Sequence, residues 1–216
     1  MADQMADGSL MSADSSTFTS TRVSMLTGKT DQNAAPSSFH EIMPSADGKK
    51  NVGKVISDNY EVVEGSWPKN KNEVVLVLDE NNSLSLTAVY ELGLKSASEY
   101  HDMMNQLNSG DDVKTDTKKI DYSDVIDRTL KLLPACDQYV KGDNGHWTYV
   151  GDDVDQINAL IDSDKAIDLK IVGVVKPVED ADATPLSSGV GYTRALTNEL
   201  IDRAESSEIV TEQRSE

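Results

Sequence analysis

The side chains able to do chemistry in this chain are plentiful but scattered. His40, His101 and His146 lie far apart, with no histidine pair four residues apart and no His-Glu-x-x-His helix, so nothing points to zinc. Cys136 stands alone, which leaves neither an intrachain disulfide nor a thiolate cage. Ser187-Ser188-Gly189-Val190-Gly191 has the look of a glycine-rich loop. It lacks both the Gly-x-Ser-x-Gly elbow and a Gly-Lys-Ser/Thr sequence, and it reads as a flexible loop leading into a helix. Acids cluster at Asp79-Glu80, Asp111-Asp112, Asp152-Asp153-Asp155 and Glu179-Asp180-Asp182. A calcium loop started at Asp79 continues correctly through Asn81 and Ser83. It then fails, with Leu84 where glycine is needed and Tyr90 where the bidentate glutamate belongs. Only Asp152–Asp155 keeps the composition of a weak, exposed cation site. No catalytic residue, resident metal or cofactor is expected, and the chain reads as a non-enzyme.

Charge narrows the partners. Twenty Lys and Arg against 38 Asp and Glu leave a net charge of −18 over 216 residues. Phosphate backbones are repelled by such a surface, so no nucleic-acid partner is expected. Aromatic residues make up only 5% of the chain, too few to suggest a sugar-stacking cleft. No run of 18 apolar residues occurs to span a bilayer, and the first seven residues carry acids where a signal peptide would carry Lys or Arg.

The elements that must position these groups form an α+β pattern without a regular strand–helix alternation. Residues 1–38 are rich in Ser, Thr, Asp and Gly and read as a flexible polar arm, with Thr21–Gly28 as a short strand or docked turn. Order is expected from Phe39. Tyr60–Pro68 reads as an apolar segment closed by a Gly turn and a Trp-Pro step. Glu73–Leu78 reads as a strand buried on both faces. Helices are predicted after the Asp79–Ser83 turn up to Gly93, over Ser98–Leu107, over Asp152–Asp162 and over Thr193–Ser206. The last carries Leu196, Leu200 and Ile201 on one side and decays into a charged tail. Thr129–Leu133 and Ile167–Pro177 read as strands. Asp137–Val140 and Trp147–Val150 read as a hairpin around Gly142–Gly145, and residues 178–189 as a loop.

Several of these segments, taken in order, resemble one family. Phe39–Pro44 (FHEIMP), Tyr60–Pro68 (YEVVEGSWP), Asn72–Leu94 (NEVVLVLDENNSLSLTAVYELGL), Leu169–Asp180 (LKIVGVVKPVED) and Gly189–Leu200 (GVGYTRALTNEL) are similar to the extracellular, MacB-like periplasmic core domain of FtsX/MacB-type ABC-transporter permeases from Gram-positive bacteria. The resemblance covers most of residues 39–203, and the insert from about 95 to 165 is longer than in that family.

The resemblance implies a two-lobed fold, a mixed sheet with packed helices. Residues 39–57 and 164–216 would form a membrane-proximal lobe and 58–163 a membrane-distal one. It also implies a soluble piece of an integral membrane protein, at the extracellular face of the cell membrane, with an introduced Met1 and with the anchoring helices and the ATPase elsewhere. Its partners would be the cognate ABC ATPase domain or subunit, reached through those helices, and an extracellular protein or peptide substrate. Such a module would couple ATP-driven motion of the helices to export or to an extracellular partner. The alternative is a surface adhesion module that binds host matrix protein or mucin through its acidic surface. For either, the candidate contact residues are Tyr60 and Trp67 around the Gly turn, and Asp180, Asp182 and Tyr192 in the later loop. Ordinary packing is the plain alternative for the aromatic ones.

Overall fold

The computed structural model describes residues 2–4, 10–12, 39–84, 88–89, 121–151 and 153–215. The predicted helix over Ser98–Leu107, the segment Thr21–Gly28 and most of the helix after Ser83 lie outside these residues. Within the polar arm, β1 (Ala2–Gln4) and β2 (Leu10–Ser12) pair antiparallel.

A mixed sheet organises the rest. Its strands are β3 (Phe39–Glu41), β4 (Tyr60–Gly65), β5 (Glu73–Val77), β6 (Thr129–Leu132), β9 (Ile167–Pro177) and β10 (Gly189–Tyr192). They run in the order β3-β10-β5-β9-β4, and β6 also pairs with β9. β3 is parallel to β10 and β5 is parallel to β9, while the other pairings are antiparallel. One edge of the eleven-residue β9 serves two partners: β6 takes Ile167–Lys170 and β4 takes Gly173–Pro177. A single sheet thus draws strands from residues 58–163 and from the segments flanking them.

The alternation of side chains along a strand explains why β5 is apolar throughout. Val74 and Leu76 enter a core with Phe39, Leu169, Ile171, Val190 and Leu196. Val75 and Val77 enter another with Ile42, Ile56, Tyr60, Val175 and Leu186. Both faces of the strand are therefore covered. The first core is roofed by α3 (Arg194–Ser206) through Leu196 and Leu200, and by a 3-10 turn at Tyr122–Asp124. The second is roofed by the short α1 (Lys54–Asn59) through Ile56. Along β9 the parity changes at a bulge. Ile167, Leu169 and Ile171 serve the first core, and beyond Gly173 it is Val174 that does so, while Val172 and Val175 turn to the second.

Two glycines make that bulge possible. A Cβ on Gly173 would lie 2.2 Å from the Ser66 carbonyl oxygen. One on Gly65, where φ is +74°, would lie 2.2 Å from that of Val172. Backbone meets backbone here, and only glycine permits it.

A satellite cluster of Leu133, Val150, Ile157 and Ile161 joins the 3-10 turn Ala135–Gln138, the hairpin β7 (Tyr139–Lys141) and β8 (Trp147–Tyr149), and α2 (Val154–Ile161). The chain from Glu208 to Ser215, expected as a charged tail, is instead a helix, α4. Its few apolar side chains hid it; buried Ile209 and a set of polar contacts hold it in place. Lys141 pairs with Glu208 at 3.2 Å and with Glu212, and the Trp147 indole donates to Glu212 Oε2 at 2.8 Å. The Lys141 ammonium also lies 5.5 Å from the Trp147 ring centroid. Two further expectations fail. Ile201 is 51% exposed rather than on the packed side of α3. Gly189–Tyr192 is an inner strand between β3 and β5 rather than a flexible loop. Packing is tight at Gly191, where a Cβ would meet Ile42 and Val75 side chains at 3.1 Å and oblige them to shift.

Candidate functional site

Among the described residues the groups capable of catalysis do not converge. His40 sits in β3 with its Nε2 buried and unpartnered, and burial pushes its pKa down. His146 is exposed in the β7–β8 turn, and His101 lies outside the described residues. The Cys136 thiol is pushed up by burial and then by the neighbouring Asp137 carboxylate, the opposite of an activated thiolate. The Asp79 carboxylate is committed to its own turn: Oδ1 accepts from the amides of Asn81 (2.9 Å) and Ser83 (2.8 Å), and Oδ2 from the Ser83 hydroxyl at 2.6 Å. Asp153 caps α2, accepting from the Gln156 amide at 3.1 Å and from its side chain at 2.7 Å. Those two bonds, the side chain's the larger, hold Asp153 below the usual carboxylate range. Among the described residues no group of three or more His, Cys, Asp or Glu is placed to hold a metal ion.

The five candidate contact residues separate into three places. Tyr60 is a structural pin, 3% exposed. Its hydroxyl donates to the Leu186 carbonyl at 2.8 Å and accepts from the Leu186 amide at 2.9 Å. Burial pushes its pKa up, against the smaller opposing effect of the Leu186 hydrogen bond. At that exposure Tyr60 presents little side-chain surface to a partner. Asp180 and Asp182 are exposed on the loop that Tyr60 anchors. That loop is tied again at its base, where the Val178 amide donates to the Asn59 carbonyl at 3.0 Å and the Ala183 amide to Asn59 Oδ1 at 3.1 Å. Tyr192 belongs to the other face of the sheet, half-buried 6.4 Å from the Phe39 ring. Burial pushes its hydroxyl up, with a further push from Glu41.

Trp67 packs partly against the second core and lines an open groove of about 490 Å³. Lys49, Lys50 and Asn51 form one wall, and Ser66, Trp67, Pro68 and Lys69 the other. The first wall is a pinned turn. Ser45 and Lys50 exchange backbone and hydroxyl bonds (3.0 and 2.9 Å), and Gly48 takes a φ of +69°. The Ser45 hydroxyl and then the Lys49 amide hold Asp47 below the usual carboxylate range. The second wall leaves β4 at Gly65 and is fixed where Glu73 Oε2 accepts from the Lys69 amide at 2.7 Å. The Asn51 side chain bridges the walls by donating to the Pro68 carbonyl at 3.4 Å. Lys49 reaches Asp47 only at 3.8 Å, and neither the Lys50 nor the Lys69 ammonium has an ion-pair partner among the described residues. Of this groove the sequence reading singled out Trp67 alone. Its lysines come from two stretches nearly twenty residues apart, inside a chain whose overall charge has the opposite sign.

No family model, curated protein or solved structure matches the chain. Among the described residues no helix is long and apolar enough to cross a membrane.

Proposed function

We propose that the chain is a non-catalytic extracellular domain of an FtsX/MacB-type ABC-transporter permease, whose role is to couple motion of membrane helices to export or to an extracellular partner. One observation carries the reading. The five segments whose residues resemble that family are neighbours in space: they supply β3, β10, β5, β9 and β4, the whole continuous path of the central sheet. Segments that are similar in ordered succession and also build one sheet support a shared fold better than any single motif would. The finer expectation, a MacB-like core of two lobes, belongs to the same proposal.

The mechanism asks little of individual side chains. A module of this kind moves as a body, and coupling requires only that its contacts differ between the states of the helices that carry it. A sheet packed on both faces suits that task because close-packed cores transmit displacement rather than absorb it. An antibody raised against residues 39–215 is expected to stain intact cells expressing the whole gene. Staining only after permeabilisation would contradict an extracellular location.

A further inference from the structure

We infer that the groove between Lys50 and Trp67 is a binding site for a short saccharide carrying a single carboxylate. This goes beyond the permease reading and does not rest on it. Three features of the groove choose the ligand. The indole of Trp67 is anchored on one side by the second core and lines open space on the other. It thus offers a rigid apolar face of the kind the C–H side of a sugar ring covers. Lys50 and Lys69 line the same groove with no ion pair within 4 Å among the described residues, although Lys50 interacts at longer range with Asp47, and Lys49 is paired to Asp47 only loosely. Ser66 and Asn51 complete the lining with neutral polar side chains, the type of group that ring hydroxyls require, the Asn51 amide keeping its oxygen and one N–H beyond its bond to Pro68. Both walls are held by turn hydrogen bonds, so their backbone needs little reordering on binding.

Charge decides the size of the ligand. The screening length in physiological salt is roughly 8 Å. Within that distance a singly charged ligand lodged in the groove meets three lysines against the two carboxylates of Asp47 and Glu73, a local positive excess in a chain that is acidic as a whole. An anionic bilayer or a heavily charged polymer extends beyond that distance and meets the remainder of a chain with net charge −18. The same argument disfavours a long acidic peptide, and an extended peptide would seek a sheet edge rather than an indole wall.

The test is a titration of the 216-residue chain with methyl glucuronoside, following the indole N–H resonances of its two tryptophans by heteronuclear NMR. Methyl glucoside serves as the uncharged counterpart. The Trp67 resonance is expected to shift with millimolar affinity while that of Trp147, bonded to Glu212, stays in place. The neutral sugar should bind on the order of tenfold more weakly. The exposed double substitution Lys50→Gln/Lys69→Gln should weaken glucuronoside binding by a similar factor, since each exposed charge pair contributes roughly two- to fivefold. Raising the salt should weaken binding further. Equal binding of the two sugars, or unchanged binding after the double substitution, would overturn the proposal. So would a Trp67 shift driven at lower concentration by a glutamate-rich hexapeptide or by phosphatidylglycerol vesicles, which would assign the groove to peptide or membrane instead.

Discussion

Tyr60 and Leu186, 126 positions apart in sequence, hold each other by two hydrogen bonds, the phenol donating to the Leu186 carbonyl and accepting from the Leu186 amide. This clasp fastens the loop after β9 to the start of β4. Tyr60→Phe removes both bonds and strands two buried backbone groups. The expected loss is about 1–3 kcal/mol in a urea titration at pH 7, with the slope of the transition unchanged.

The same residue gives an alkaline signature. Burial raises the Tyr60 pKa in the folded state above its unfolded value of about 10. A raised folded value means that the folded chain holds the proton more tightly. This stability is complete below about pH 10 and is lost as pH rises through the folded value. The gap in urea midpoint between the native chain and Tyr60→Phe is expected to narrow above pH 10. Some alkaline sensitivity should persist in the variant, because Tyr192 is shifted in the same direction.

Glycine substitutions separate crowding from backbone preference. Gly173→Ala drives a Cβ into the Ser66 carbonyl, which is backbone and has nowhere to go. A loss of about 4 kcal/mol or more is expected, or failure to fold. Gly48→Ala is the control: its φ is +69°, yet nothing lies within 4 Å of the added Cβ. It should cost only about 1–2 kcal/mol, and thermal melts of the two variants compare them directly.

The docking of α4 should loosen in acid. Lys141 and then Trp147 hold Glu212 below the usual glutamate range by donating to it. A lowered folded pKa contributes stability that is present above the unfolded value of about 4.5 and disappears as pH falls through the folded value. Amide exchange across Glu208–Ser215 is therefore expected to rise relative to the sheet as pH drops below about 4.5. In Glu212→Gln exchange should already be raised several-fold at neutral pH and respond less to acid, with buried Ile209 still docking the helix.

Much of the sheet could be read from the chain because Glu73–Val77 is apolar on both faces and Ile167–Pro177 alternates apolar and polar residues before running apolar. The two short helices were harder. α1 spans six residues and buries Ile56 alone, too little to show a period, and α4 is held by Lys141 and Trp147 of a distant hairpin. Gly189–Tyr192 misled because glycines that signal loops in isolation here allow a close-packed inner strand. The clasp made by Tyr60 was not legible for a related reason: an aromatic residue with a polar tip has the same composition whether it faces a partner or pins a loop.

The coding sequence on either side of residues 1–216 tests the central claim most directly. If this is the outward domain of a permease, a hydrophobic segment of about 20 residues should immediately precede the polar arm, and another should follow α4. Flanks without such segments would contradict the permease reading and leave the fold and the Trp67 groove to be explained on their own.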